Sequence, residues 1–194
     1  AICEQLEDPK LAKGLVKRDV IRVITPGTVV ENSMLDETRN NFLCSICYEE
    51  DGLGLCFGDI STGDLTADQV LAPNSETLLH ILEDRLARYS PSEILLNPQA
   101  LDLTGLADFI REKLHAAVEC QESALYQDLD QCQARVSRQF GGQSLAQLEL
   151  SDKPLAVKAL SALFDYLSRT QITGLERMNE VDIGTDAGVM GLDI

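Results

Sequence analysis

The chain contains no tryptophan, and its aromatic content is only 5%, which argues against a surface built from stacking platforms for bases or sugars. It has no run approaching the roughly 20 apolar residues that cross a bilayer. Nor does an apolar stretch follow a basic start, as it would in a secretion signal. The spacings G-x-x-x-x-G-K-[ST] and G-x-G-x-x-G are both missing, so no loop that cradles a nucleotide phosphate is expected in these residues. Basic residues are scarce too: 16 Lys and Arg stand against 32 Asp and Glu, for a net charge of −16. Five of them (Lys10, Lys13, Lys17, Arg18, Arg22) fall within the first 22 residues, interleaved with Glu4, Glu7, Asp8 and Asp19, which leaves −17 on the other 172. Phosphate binding needs the opposite sign. The bulk of the chain is therefore not a DNA-binding body, and the interrupted basic cluster reads as a solvated face.

What is present suits a soluble globular protein. The sequence is 44% hydrophobic and 25% charged, and 194 residues can bury one good core, or one domain with a small appendage. Six cysteines, at positions 3, 44, 47, 56, 120 and 132, come without a secretion signal, so reduced thiols in a cytoplasm are expected. The first residue is not Met, and Ala1-Ile2-Cys3 reads as the end of a strand already under way. An internal piece of a longer protein is the expectation.

Hydrophobic periodicity gives the element order. A β-rich run Val20-Ile21-Arg22-Val23-Ile24 is broken by the turn residues Thr25-Pro26-Gly27-Thr28, and 32–41 reads as a polar linker. Strands over Phe42–Tyr48 and Leu53–Ile60 flank a hairpin turn centred on Asp51-Gly52, and a second turn, Ser61-Thr62-Gly63-Asp64, leads to a third strand, Leu65–Val70. The period then changes. A helix capped by Ser75 carries one apolar stripe of Leu78, Leu82, Leu86 and Tyr89, with Asp84 and Arg88 four apart on its wet side. A short buried strand follows at Ser92–Asn97, then a helix over about Thr104–Ala116, a weak strand near Val118 and a helix over about Leu125–Phe140 ending at Gly141-Gly142. The last helix, Pro154 to about Arg169, is apolar on nearly every side and has Ser151 and Asp152 as cap candidates. Three antiparallel strands followed by alternating helices and strands make an α/β fold with a ribonuclease H-like mixed sheet.

Candidate chemistry is thin. Cys44-x-x-Cys47 could be half a zinc site or a redox dithiol, but residues three apart in one strand face opposite sides. Both thiols read better as small apolar fillers. Asp59 lies where metal-dependent nucleases of this fold place an acid, yet Glu93, Asp102 and Asp108, which could join it, have no defined partners. The plainer reading is that Asp59 closes a turn with Ser61 and Thr62. His80 and His115 sit in predicted helices with no nucleophile or ligand spacing nearby. No catalytic, cofactor-binding or metal residue is therefore assigned.

Longer strings carry a specific resemblance. Ala1-Ile2-Cys3-Glu4-Gln5-Leu6-Glu7-Asp8-Pro9, then Lys13-Gly14-Leu15-Val16-Lys17-Arg18 and Val23-Ile24-Thr25-Pro26-Gly27-Thr28, closely resemble the end of the mismatch-recognition domain of bacterial MutS DNA mismatch-repair proteins. Leu35-Asp36-Glu37 through Asn40-Asn41-Phe42-Leu43 is similar to the entry to that family's connector domain, and Gly58-Asp59-Ile60-Ser61-Thr62-Gly63 to its D-I-S-T-G turn. Ser90-Pro91-Ser92-Glu93-Ile94-Leu95, the helix from Pro154 to Tyr166-Leu167 with Thr170-Gln171, and Met190-x-Leu192-Asp193 match later family strings in order. The resemblance implies a remnant of the recognition domain over 1–30, a linker over 31–40, a ribonuclease H-like connector over 41–173 and a crossing into the lever domain over 174–194. It further implies a parent that binds mismatched DNA through other domains, binds ATP with Mg, pairs with a second MutS subunit and recruits MutL in the bacterial cytoplasm at the nucleoid. The fragment itself would be no enzyme and hold no cofactor. The alternative is a metal-dependent nuclease of the same fold. Severed from their own core, residues 1–30 are expected to be partly disordered or repacked.

Overall fold

The computed structural model describes residues 2–5, 18–22, 25–28, 40–50, 52–170 and 174–184. At the start, β1 (Ile2–Gln5) and β2 (Arg18–Arg22) pair antiparallel, apart from the main sheet. Lys10, Lys13 and Lys17 of the basic cluster, Asp51 and the expected linker as far as residue 39 lie outside the described residues.

The main sheet begins with the expected meander: β3 (Leu43–Glu49), β4 (Gly52–Gly58) and β5 (Leu65–Leu71), each antiparallel to the one before. Helix α1 (Ser75–Tyr89) then leads to β6 (Glu93–Leu96), which returns parallel to β3. Beyond it, the one-turn helix α2 (Leu106–Phe109) runs into a single π turn, Ile110–Leu114, and β7 (Ala117–Cys120) adds parallel to β6. Helices α3 (Ala124–Gln127), α4 (Leu129–Gln139) and α5 (Pro154–Arg169) follow. A last two-residue strand, β8 (Asp182–Ile183), pairs parallel with β5. The strand order is β7-β6-β3-β4-β5-β8, the ribonuclease H-like arrangement with one strand added at the β5 edge.

Strand alternation divides the core in two. Cys44, Ile46, Leu53, Leu55, Phe57, Ile94 and Leu96 face α1, whose Leu78, Leu82 and Leu86 are fully buried against them. Leu43, Cys47, Cys56 and Leu95 face the other way, toward α4 and α5. Cys44 and Cys47 thus lie on opposite faces, as a three-residue step along a strand requires, and burial raises both thiols, Cys47 to about 12.

Four details differ from the sequence reading, each for a local reason. Asn74, not Ser75, caps α1, its side chain accepting from the Thr77 N–H at 2.9 Å. The helix expected at 104–116 begins later, because Gly105 takes a left-handed φ of 103°, and the π turn ends at His115, also left-handed. The helix expected at 125–140 is interrupted by Asp128, which leaves helical geometry to cap α4 through Gln131 N–H at 3.0 Å. Neither Ser151 nor Asp152 caps α5. Gln69 does so from β5, on the sheet face where α5 packs, its Oε1 accepting from Leu155 N–H at 2.8 Å.

Candidate functional site

The turn Thr25-Pro26-Gly27-Thr28 cannot bury itself without partners for its backbone. It first closes internally: Thr28 N–H donates to Thr25 O at 3.0 Å, and Thr25 N–H to Thr28 Oγ1 at 2.8 Å. A one-turn 3-10 helix over Pro26–Thr28 results, with Gly27 and Thr28 buried. This turn then docks on the sheet domain where β6 begins.

Glu93 holds it there. The side chain is only 3% exposed, and a carboxylate that deep is costly unless donors replace its water. Three do. Thr25 Oγ1 donates to Oε2 at 2.6 Å and Gly27 N–H to the same oxygen at 2.9 Å, while Tyr166 on α5 donates its hydroxyl to Oε1 at 2.7 Å. Burial, first among the influences on it, raises the Tyr166 phenol above its ordinary range, so it remains a donor at neutral pH. Because the Thr25 hydroxyl gives its proton to Glu93, the Thr28 hydroxyl is the one left to donate within the turn, with Thr25 Oγ1 at 2.8 Å and Thr25 O at 3.2 Å as its acceptors. Glycine at position 27 lets the turn lie this close, since a Cβ there would stand 2.9 Å from Glu93 Cβ and Oε2 and would force the turn or the carboxylate to shift.

A second tie lies beside the first. Asn41 donates from Nδ2 to Pro26 O at 2.8 Å and accepts from Ser92 Oγ at 2.7 Å. Its backbone N–H donates to Asp59 Oδ2 at 2.8 Å. The other oxygen of Asp59 accepts from Ser61 N–H and Oγ, at 2.8 and 2.6 Å. Asp59, 1% exposed, therefore closes its turn through Ser61 as expected, but Thr62 does not join. Its hydroxyl accepts from Asp64 N–H instead, at 3.2 Å. Glu93 and Asp59 are each committed to separate protein donors.

The remaining candidates lie elsewhere. His80 is exposed beside Glu83, 3.6 Å away, and His115 is exposed at the end of the π turn. Asp102 is exposed, and Asp108 pairs with Arg111 at 2.6 Å. Among the described residues no three His, Cys, Asp or Glu side chains gather as metal ligands, and no helix is long and apolar enough to cross a membrane. The roles of Thr25, Asn41 and Tyr166 were not visible in the sequence. The one available signal was a carboxylate, Glu93, opening an otherwise apolar strand.

The docked turn joins two pieces that comparisons with known proteins identify separately. The family model for MutS domain II matches residues 41–180, and that for MutS domain I matches residues 1–33. The chain belongs to the MutS family. It is 37% identical over 193 residues to the DNA mismatch repair protein MutS of Caldanaerobacter subterraneus subsp. tengcongensis, covering 100% of this chain and 21% of the relative. The MutS of Lachnoclostridium phytofermentans is 38% identical over 181 residues, covering 93% and 19%. That of Dehalococcoides mccartyi is 37% identical over 194 residues, covering 100% and 21%. The chain thus spans about a fifth of the length of these curated relatives. The clamp on Glu93 ties the part matched by MutS domain I to the part matched by MutS domain II.

Proposed function

We propose that this chain is the connector segment of a MutS protein, which passes movement between the mismatch-recognition domain and the ATPase and presents a surface to MutL. Residues 41–173 form the connector, 1–30 are the end of the recognition domain, 31–40 link the two, and 174–194 lead toward the lever domain. The parent binds mismatched DNA, dimerises with a second MutS subunit and works in the bacterial cytoplasm. These residues hold no phosphate-cradling loop, so ATP and Mg²⁺ are assigned to the parent's other domains and no catalysis to this segment.

The observation that carries this reading is the three-donor clamp on Glu93. A connector must move with its neighbour as one body, and a buried, saturated carboxylate linking residues 68 apart in sequence makes the junction stiff. The test is Glu93→Ala in the full-length protein. Mismatch affinity should change little, while ATP-dependent MutL recruitment on mismatched DNA falls roughly ten-fold, the scale of a typical coupling energy. If the unfolding midpoint drops, showing the clamp broken, and recruitment is unchanged, the reading is wrong.

A further inference from the structure

The two edges of the main sheet are finished differently. At one, the chain's own β8 covers β5, and Gly184 N–H extends the pairing to Ala67 O at 2.8 Å. At the other, β7 pairs among the described residues with β6 alone. Ala117 N–H donates inward to Ser92 O at 3.0 Å and Gln121 N–H to Leu96 O at 2.8 Å. Alternation along the strand then turns the amides and carbonyls of Val118 and Cys120 outward, where no described residue pairs with them.

This edge is also bare on its faces. All four residues of β7 are exposed, Val118 by 48%. Edge strands are commonly blunted by lysine, proline or a bulge. Here β7 contains neither residue, and its register with β6 runs unbroken from Ala117 to Cys120. The chain along and after this strand is acidic: positions 114–134 include Glu119, Glu122, Asp128 and Asp130, all exposed, and no Lys or Arg, while Arg111, before the strand, is paired with Asp108 and Lys113 precedes it. Arg169 reaches this end of the sheet through Gln121, 2.5 Å away, but is paired with Asp165 at 2.8 Å.

We propose that β7 is a docking edge for an extended, lysine- or arginine-bearing segment of a partner protein, which adds beside it as a further strand. The outward backbone groups of Val118 and Cys120 supply strand pairing, and the acidic flank selects a basic partner. A second copy of this chain is a poor occupant, since it would bring the same acids and a net charge of −16 against themselves.

The test uses the 194-residue chain and a synthetic hexapeptide of alternating lysine and valine, with a glutamate–valine hexapeptide as control. The lysine peptide should bind and slow hydrogen exchange at the Val118 and Cys120 amides about ten-fold or more, and the glutamate peptide should not bind. Val118→Pro removes one outward donor and leaves the inward bonds to β6, so it should abolish binding at a near-normal melting temperature. Glu119→Lys with Glu122→Lys, which leaves the strand backbone intact, should weaken lysine-peptide binding about ten-fold. Undiminished binding to either variant, protection mapped away from β7, or a concentration-dependent dimer through this edge would each overturn the proposal.

Discussion

Tyr166 and Glu93 show how little tolerance a buried polar contact has. The carboxylate keeps both oxygens occupied, one by Tyr166 and the other by Thr25 and Gly27. Removing a donor leaves charge facing apolar surroundings rather than water. Tyr166→Phe deletes only the hydroxyl and keeps the ring in place. A hydrogen bond to a charged acceptor contributes about 1.5–3 kcal/mol, so urea unfolding should show a loss of that size with an unchanged slope. A loss under about 0.5 kcal/mol would mean that the phenol does not support the carboxylate. Of this site, the sequence displayed the pieces but not their meeting. Thr25-Pro26-Gly27-Thr28 is recognisable as turn chemistry, and Glu93 as an acid at the mouth of an apolar strand. Nothing in a local pattern pairs groups 68 positions apart.

Elements show the same division between local signals and long-range ones. The meander and α5 were legible because their patterns are long and unbroken, and β6 because a short apolar run stands between polar and turn residues, while the interrupted helices around Gly105 and Asp128 were not, since one cap or one left-handed residue overrides a periodic pattern. The packing of α5 on β4 was hidden as well. The residues of β4 on that side are Gly52, Gly54, Cys56 and Gly58, small enough for the helix to lie almost on the strand backbone. A Cβ at Gly54 would stand 1.9 Å from Leu155 O and 2.7 Å from Ala156 N, a collision with backbone that no rotamer change relieves. Gly54→Ala must therefore push the start of α5 away and disturb the Gln69–Leu155 cap at 2.8 Å. Overpacking of this kind costs about 1–3 kcal/mol, and contact with backbone puts it at the upper end. The melting temperature should fall by about 6–12 °C, at 2–4 °C per kcal/mol for a chain of this size. An unchanged melting temperature would show that α5 does not sit where it is placed here.

At the scale of the whole molecule, charge decides what the chain can touch unaided. Residues 23–194 carry −17, and a surface of that sign repels phosphates well beyond contact distance at low salt. Each phosphate contact would need a cation to release a counterion. Several cations of the described body are already engaged: Arg85 is paired with Asp68 at 3.0 Å, Arg135 with Asp165 at 3.3 Å, and Lys158 with Glu49. Membership of a mismatch-repair family does not transfer DNA affinity to every segment of the protein; affinity belongs to whichever surface carries the cations. In a fluorescence anisotropy titration, the chain should bind duplexes with and without one G·T mispair equally weakly. At ~0.15 M salt, where the screening length is about 8 Å, the signal should be lost for both. Sub-micromolar binding that favours the mispaired duplex at that salt would place a reading surface within these residues, and the assignment of a transmitting rather than a reading role would fall with it.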